Sequence, residues 1–335
     1  MKVDGGIGGL DNAAAMAKLQ EDEGYDGIFS AETGHDPFFP LLLAAQSTER
    51  LELGTGIAVA FARSPMTLAY TANDLQLASK GRFILGLGSQ IKPHIEKRFS
   101  MPWSHPAARM REFVLAMRAI WESWNTGAKL EFRGEFYSHT LMTPFFVPGA
   151  NPHGPPKVFL AAVGELMAEV AGEVCDGLLV HAFTTERYLR EVTMPAVERG
   201  LAKAGRSRDD FEFSYPAFVI SGNNDGEKEA AAGLVKSQVS FYGSTPAYRG
   251  VLDLHGWGDL QTELNALSKQ GKWQEMAGLI DEEILEAFAV IGEPDEIAPL
   301  LIKRFGDAID RCSFYGQVSS DADQRRETVA ALQKG

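Results

Sequence analysis

Cysteine is nearly absent from this sequence. Cys175 and Cys312 are the only two in 335 residues, they form no CxxC, and no Cys/His cluster accompanies them. A disulfide framework and a structural zinc site are thereby excluded, and the usage fits a reducing compartment with both thiols as core filler. No apolar run approaches the roughly 18 residues a spanning helix needs. The opening MKVDGGIGGLD also lacks the basic stretch followed by a hydrophobic one that marks a signal peptide. A cytoplasmic location is expected. Positive charge is scarce as well: 32 Lys and Arg against 45 Asp and Glu give a formal net charge of -13. Such a surface repels phosphate backbones and anionic membranes, so neither nucleic acid nor membrane is an expected partner. HExxH, GxSxG and clustered carboxylates are missing too, which argues against metal-assisted or serine hydrolysis. Asp36, His105 and His139 would have to be gathered by the fold to make a ligand set, and no metal site is expected.

What is present is an alternation of periods. KVDGGIG, DGIFSAE, LELGTGIAV, FILGLGS, VFLAAV, DGLLVHA, FEFSYPAFVIS and AIDRCSFYG read as eight strands, each followed by a helical stretch such as DNAAAMAKLQEDEGY or PAARMREFVLAMRAIWESW. Several strands are apolar at nearly every position, as when both faces are covered. Eight units favour a (β/α)8 barrel over a doubly wound sheet. The reading is one α/β TIM-barrel domain over residues 1–335. LEFRGEFYSH forms a hairpin on its flank, and a helical insertion follows strand seven at about 225–306.

In such a barrel, chemistry sits at the carboxyl ends of the strands. Those ends fall at Gly8-Gly9, Ala31-Glu32-Thr33, Gly56 to Val59, Gly88-Ser89-Gln90, Ala162-Val163-Gly164, His181, Ser221 and Tyr315. Glu32 and His35, in AETGHDPFF, could share proton transfer, or one of them could cap the helix that opens near Pro37. Gly54 and Gly56 break an otherwise well-packing strand, which marks a bulge or a close backbone approach. The free amides of a helix starting at Gly164 could hold a phosphate without basic side chains.

Taken in order, GTGIAVAFARSP, GRFILGLGSQ, FLAAVGELMAEVAGEVCDG and VIGEPDEIAPLL, with the acidic AETGHDP turn, resemble the luciferase-like flavin and deazaflavin oxidoreductases, in particular the branch dependent on coenzyme F420. The resemblance spans residues 1 to about 310. It implies a bulged third strand with a non-prolyl cis peptide, here between Gly56 and Ile57, that props a tricyclic ring. It places Glu32 beside the polar edge of the ring and Gly56, Ile57 and Val59 beneath it. Ser89, Gln90 and His94 fall on the phosphate or tail side, and Ala162, Val163 and Gly164 give main-chain contacts to the phosphate. Sugar-phosphate dehydrogenases of this branch carry a His directly after the acidic residue and a Glu in the turn after strand four; here Thr33 and Ile91 stand there, so that activity is not implied. His35, two positions on, is the nearest substitute imidazole, and with Glu32 it makes the candidate catalytic pair.

The implied activity is hydride transfer between C5 of bound F420 and a small organic substrate. The alternatives are an FMN-dependent monooxygenase of the same superfamily and, from another class, a non-redox hydrolase, lyase or ligand-binding barrel. The insertion roofs the substrate pocket in this reading, with Phe241, Tyr242, Tyr248, His255 and Trp257 as wall candidates. Met101, Pro102 and Trp103 lie on a second covering loop. A homodimer is expected, with the LLLAAQ face as one candidate surface.

Overall fold

The computed structural model describes residues 1–316 and 318–335. Eight parallel strands close on themselves: β1 (Lys2–Ile7), β2 (Gly27–Ser30), β3 (Glu52–Thr55), β4 (Phe83–Gly88), β5 (Lys157–Ala162), β6 (Gly177–Val180), β7 (Glu212–Ile220) and β8 (Arg311–Tyr315). Each pairs with the next, and β8 closes on β1 through Lys2↔Arg311 and Asp4↔Ser313. The outer helices are α1 (Ala13–Asp22), α2 (Phe38–Ser47), α3 (Pro65–Ala78), α4 (Pro106–Thr126), α5 (Glu165–Val174) and α6 (Met194–Ala204), followed by α7 (Asp225–Gly243), α8 (Ile297–Phe305) and α9 (Ala322–Lys334). Their limits follow local chemistry. Ser64 accepts from the Thr67 amide and Pro65 fills the first position of α3. Gly24, at φ +92°, lies just past α1. The stretch TERYLREVTMPAV does not run as one helix: Leu189–Thr193 widens to a π turn directly before Met194 and Pro195, where the proline lacks an amide to donate. The Phe132–Arg133 and Ser138–His139 strands form the expected hairpin.

The barrel interior is layered. At the amino end Arg311, fully buried, donates to both Asp4 oxygens, Nε to Oδ2 at 2.8 Å and Nη2 to Oδ1 at 2.6 Å, and its Nη1 also reaches Glu52 and Glu212. Desolvation pushes the Asp4 carboxyl up, against the pull of Arg311. Glu212 is held down to about 2: burial opposes its charge, but Lys157, Lys2 and Arg311 outweigh it. The Phe29 ring lies above Arg311. Cys175 and Cys312 are both buried and unpaired, and burial pushes each thiol up to about 12. No helix of the described residues is long and apolar enough to cross a membrane.

The insertion enters where the barrel runs short of partners. β7 has nine residues and β6 only four, so β6 pairs with Glu212 to Ser214 and leaves the upper edge of β7 bare. That edge is covered by a short strand within the insertion, Ala289–Ile291, which pairs with Phe218 to Ile220. Unpaired backbone groups at a sheet edge are costly when buried. The 225–306 region is therefore not wholly helical: this three-residue strand is what stitches its helices to the barrel.

Candidate active site

Strand alternation fixes what faces the mouth. A Cβ on Gly27 would meet Asp4 and Arg311, so Gly27, Phe29 and Ala31 face inward on β2. The same count brings inward Gly6 on β1, Gly88 on β4, His181 past β6 and Tyr315 on β8. The mouth is lopsided as a result. Gly6, Gly8, Ala31 and Gly56 are exposed along the β1–β3 side, and a Cβ on Gly6 or Gly8 would meet nothing within 4 Å. On the opposite side the His181 ring packs against Tyr242 at 4.6 Å and Tyr248 at 4.8 Å between ring centres. One half of the mouth is thus open and glycine-floored, and the other is packed with aromatic rings.

The glycines of β3 and β4 have a more specific cause. A Cβ on Gly54 would lie 2.2 Å from the Phe29 ring, and one on Gly88 would lie 2.8 Å from the Ile57 side chain. Gly54 thus makes room for Phe29 inside the barrel, and Gly88 makes room for Ile57 above it. The expected bulge is present: β3 ends at Thr55, the Gly56–Ile57 peptide is cis, and Ala58–Val59 resumes pairing with β4. Gly56 N donates to Ser30 O at 2.8 Å, and Ile57 O accepts from Glu32 N at 3.2 Å.

Glu32 is the clamp of this bulge. Its Oε2 accepts from Val59 N at 2.7 Å and from Arg63 Nη1 at 2.6 Å, with the side chain 8% exposed. Arg63 also donates to Val59 O at 3.1 Å and to Asp36 Oδ2 at 3.1 Å. Oε1 of Glu32 takes no hydrogen bond among the described residues. The α2 cap goes to neither Glu32 nor His35: Asp36 Oδ1 accepts from the Phe38 amide at 2.9 Å. His35 Nδ1 lies 3.0 Å from Asp36 O, which can only accept, so Nδ1 donates there. His35 is thus in the same loop as Glu32 with one nitrogen uncommitted.

The other expected residues are spread round the rim. Gln90 sits in the left-handed region at φ +60°, and its Oε1 accepts from Ile91 N; Ser89 Oγ donates to Gln90 O. Both side chains are spent on their own turn. His94 is exposed on the next turn. Ala162 is buried, Val163 O accepts from Tyr188 Oη at 3.3 Å, and Gly164 opens α5 with empty space where a Cβ would stand. The covering loop is anchored at Pro102 O by Arg109 Nη1 and at Trp103 by Phe61. Among the five wall candidates, Tyr242 and Tyr248 meet His181, whereas His255 stacks on Trp257 and Phe241 lies near Trp273. No group of three His, Cys, Asp or Glu suited to a metal occurs among the described residues.

Three contributors escaped sequence reasoning. Arg63, in the stretch FARSP, gave no sign that it would reach Glu32. His181 was legible only as a strand end: its Nδ1 accepts from Phe183 N at 3.0 Å, so Nε2 carries the proton, and burial pushes its pKa down to about 4. The Tyr242–Tyr315 hydroxyl pair, 3.0 Å apart, joins residues 73 positions distant.

A closed parallel barrel whose open, strand-end mouth holds a clamped backbone bulge defines an α/β barrel protein. The chain belongs to the luciferase-like monooxygenase family, whose model matches residues 2–310. An uncharacterised protein of Mycobacterium tuberculosis is 58% identical over 312 residues, covering 93% of this chain and 92% of that one. A 5,10-methylenetetrahydromethanopterin reductase of Archaeoglobus fulgidus is 29% identical, covering 84% and 82%. Among solved structures, the coenzyme F420-dependent tetrahydromethanopterin reductase of Methanopyrus kandleri superposes with a TM-score of 0.78 at 22% identity, covering 98% and 97%.

Proposed function

We propose that the protein is an F420-dependent oxidoreductase that moves a hydride between deazaflavin C5 and a small organic substrate. The observation that carries this reading is the exposed Gly6, Gly8 and Gly56 beside the Gly56–Ile57 bulge, with open space over Gly6 and Gly8 where a planar ring could lie. Relatives named for reduction of a methanopterin and for dependence on F420 support it. Gly56, Ile57 and Val59 would lie beneath the ring and Glu32 beside its polar edge. Ser89, Gln90 and His94 would border the tail, and Ala162, Val163 and Gly164 with the first α5 amides would receive the phosphate. When bound, the deazaflavin supplies a ring carbon where a flavin has its reactive nitrogen, which favours two-electron hydride transfer over reaction with oxygen.

The chain's own part is orientation, exclusion of water and proton handling. Glu32 and Arg63 fix the bulge. His181, Tyr242 and Tyr248 pack the opposite wall with aromatic rings. His35, whose Nε2 is engaged by no described residue, could exchange a proton with substrate, and the neutral His181 could donate a hydrogen bond through Nε2–H. The family's monooxygenase description favours one second reading, an FMN-dependent monooxygenase. Fluorescence titration of the purified protein with F420 and with FMN decides between them: F420 binding is expected, and FMN binding without response to F420 reverses the assignment.

A further inference from the structure

We propose that the cavity between α7 and the chain just past β8 binds the apolar arm of an uncharged organic substrate, an inference that rests on the oxidoreductase reading above. The cavity measures about 550 Å³, within the usual range for small-molecule sites. Val219 and Ser221 at the top of β7, Tyr315 at the end of β8, and Ala231, Leu234 and Val235 on α7 line it. The helical spacing of the last three puts them on one face.

Charge settles the class of ligand. No Lys, Arg or His is among the described lining residues. The one carboxylate, Glu227, has Oε2 engaged by Asn223 N at 2.8 Å. A carboxylate or phosphate placed here would be desolvated with no cation and with Glu227 nearby, which is costly. A neutral hydrocarbon loses nothing by entering.

The Tyr242 and Tyr315 hydroxyls, 3.0 Å apart, place polar atoms at the edge of this largely apolar lining. Tyr315 lines the cavity while Tyr242 packs on His181 at the mouth. The pair therefore marks the border between cavity and mouth. A carbonyl or hydroxyl oxygen held at this border leaves its hydrocarbon arm in the cavity.

The test is calorimetry on the full chain, with F420 present, using 2-butanone, 2-hexanone and 2-octanone, with octanoate and octylammonium as charged probes. Each added methylene is expected to tighten binding about fourfold until the cavity is full, with both charged probes at least tenfold weaker than 2-octanone. Ala231→Phe fills the cavity, and Leu234→Asp, at a position 72% exposed, places a charge at its rim without burdening the fold. Both should flatten the chain-length series while leaving F420 titration unchanged. Affinity indifferent to chain length, octanoate binding as well as 2-octanone, or a series untouched by Leu234→Asp overturns the proposal. F420 bound with a flat series removes the cavity assignment alone; a steep series without F420 binding removes the cofactor assignment and leaves the apolar site.

Discussion

Val59 donates its backbone amide to Glu32 Oε2 across 2.7 Å, tying the exit of the β3 bulge to the end of β2, and Arg63 holds the same oxygen from the outside. A carboxylate that accepts a backbone amide and a guanidinium on one oxygen fixes both in place. Arg63→Ala should cost about 1.5–3 kcal/mol of stability, the usual worth of a hydrogen bond to a charged group. It should also weaken F420 binding at least tenfold, because the bed loses its fixed edge. Glu32→Gln, which keeps the shape, should be milder than Glu32→Ala. Urea unfolding and cofactor titration measure the two effects, and an Arg63→Ala protein unaltered in both would show that the clamp does not hold the site.

Two glycine substitutions should separate packing from binding. Gly54→Ala drives a methyl into the Phe29 ring, which should cost about 1–3 kcal/mol by overpacking. Part of that loss should return in a Phe29→Leu background, since the two residues share one space. Gly6→Leu points into open volume. It should leave the melting temperature nearly unchanged and reduce F420 binding at least tenfold. The reverse pattern, lost stability with intact binding, would move the cofactor away from this floor.

His181 should stay neutral down to about pH 4. Its folded pKa lies below the unfolded value, so between about pH 6.5 and pH 4 the unfolded chain binds the extra proton. Stability from this group should therefore fall as the pH drops through that window. NMR titration of the ring should give an apparent pKa near 4, and His181→Asn should flatten the decline in melting temperature over the same range. A ring that titrates near pH 6.5 would mean that Tyr242 and Tyr248 do not shield it.

Arg311→Met should be severe. The substitution strands Asp4, Glu52 and Glu212 around a site that is fully buried at Arg311, and breaking a buried pair from one side costs about 3–5 kcal/mol. Asp4→Asn/Arg311→Met, which removes the most buried charge of each sign, should recover part of it. Thermal unfolding of the two variants checks this. Glu212, held down to about 2, contributes stability at neutral pH that is lost as the pH falls from about 4.5 towards 2.

Much of the barrel was legible because its signals are local. Seven of the eight apolar segments end within two residues of their strands, LELGTGIAV is split after Thr55 by the bulge, and Gly24 stops α1 as its chemistry requires. The bulge at Gly56 could be located from glycines in an apolar strand together with family likeness. What misled was inference from neighbours in sequence. Glu32 and His35 offered side chains to cap α2, yet Asp36, nearer the helix, takes the Phe38 amide. Gly54 suggested ligand contact, yet it yields to Phe29, its partner on the adjacent strand.

The sequence by itself determined the number of staves, their order and the chain positions that form the mouth, because hydrophobic period and turn chemistry act over a few residues. Tertiary structure alone decided which groups meet there: Arg63 with Glu32, Tyr242 with Tyr315, His181 between two insertion tyrosines, and Ala289–Ile291 along the bare edge of β7. These contacts join residues from 31 to more than 70 positions apart. They exist because closing the barrel leaves buried donors, acceptors and strand edges that must find partners wherever the chain brings them.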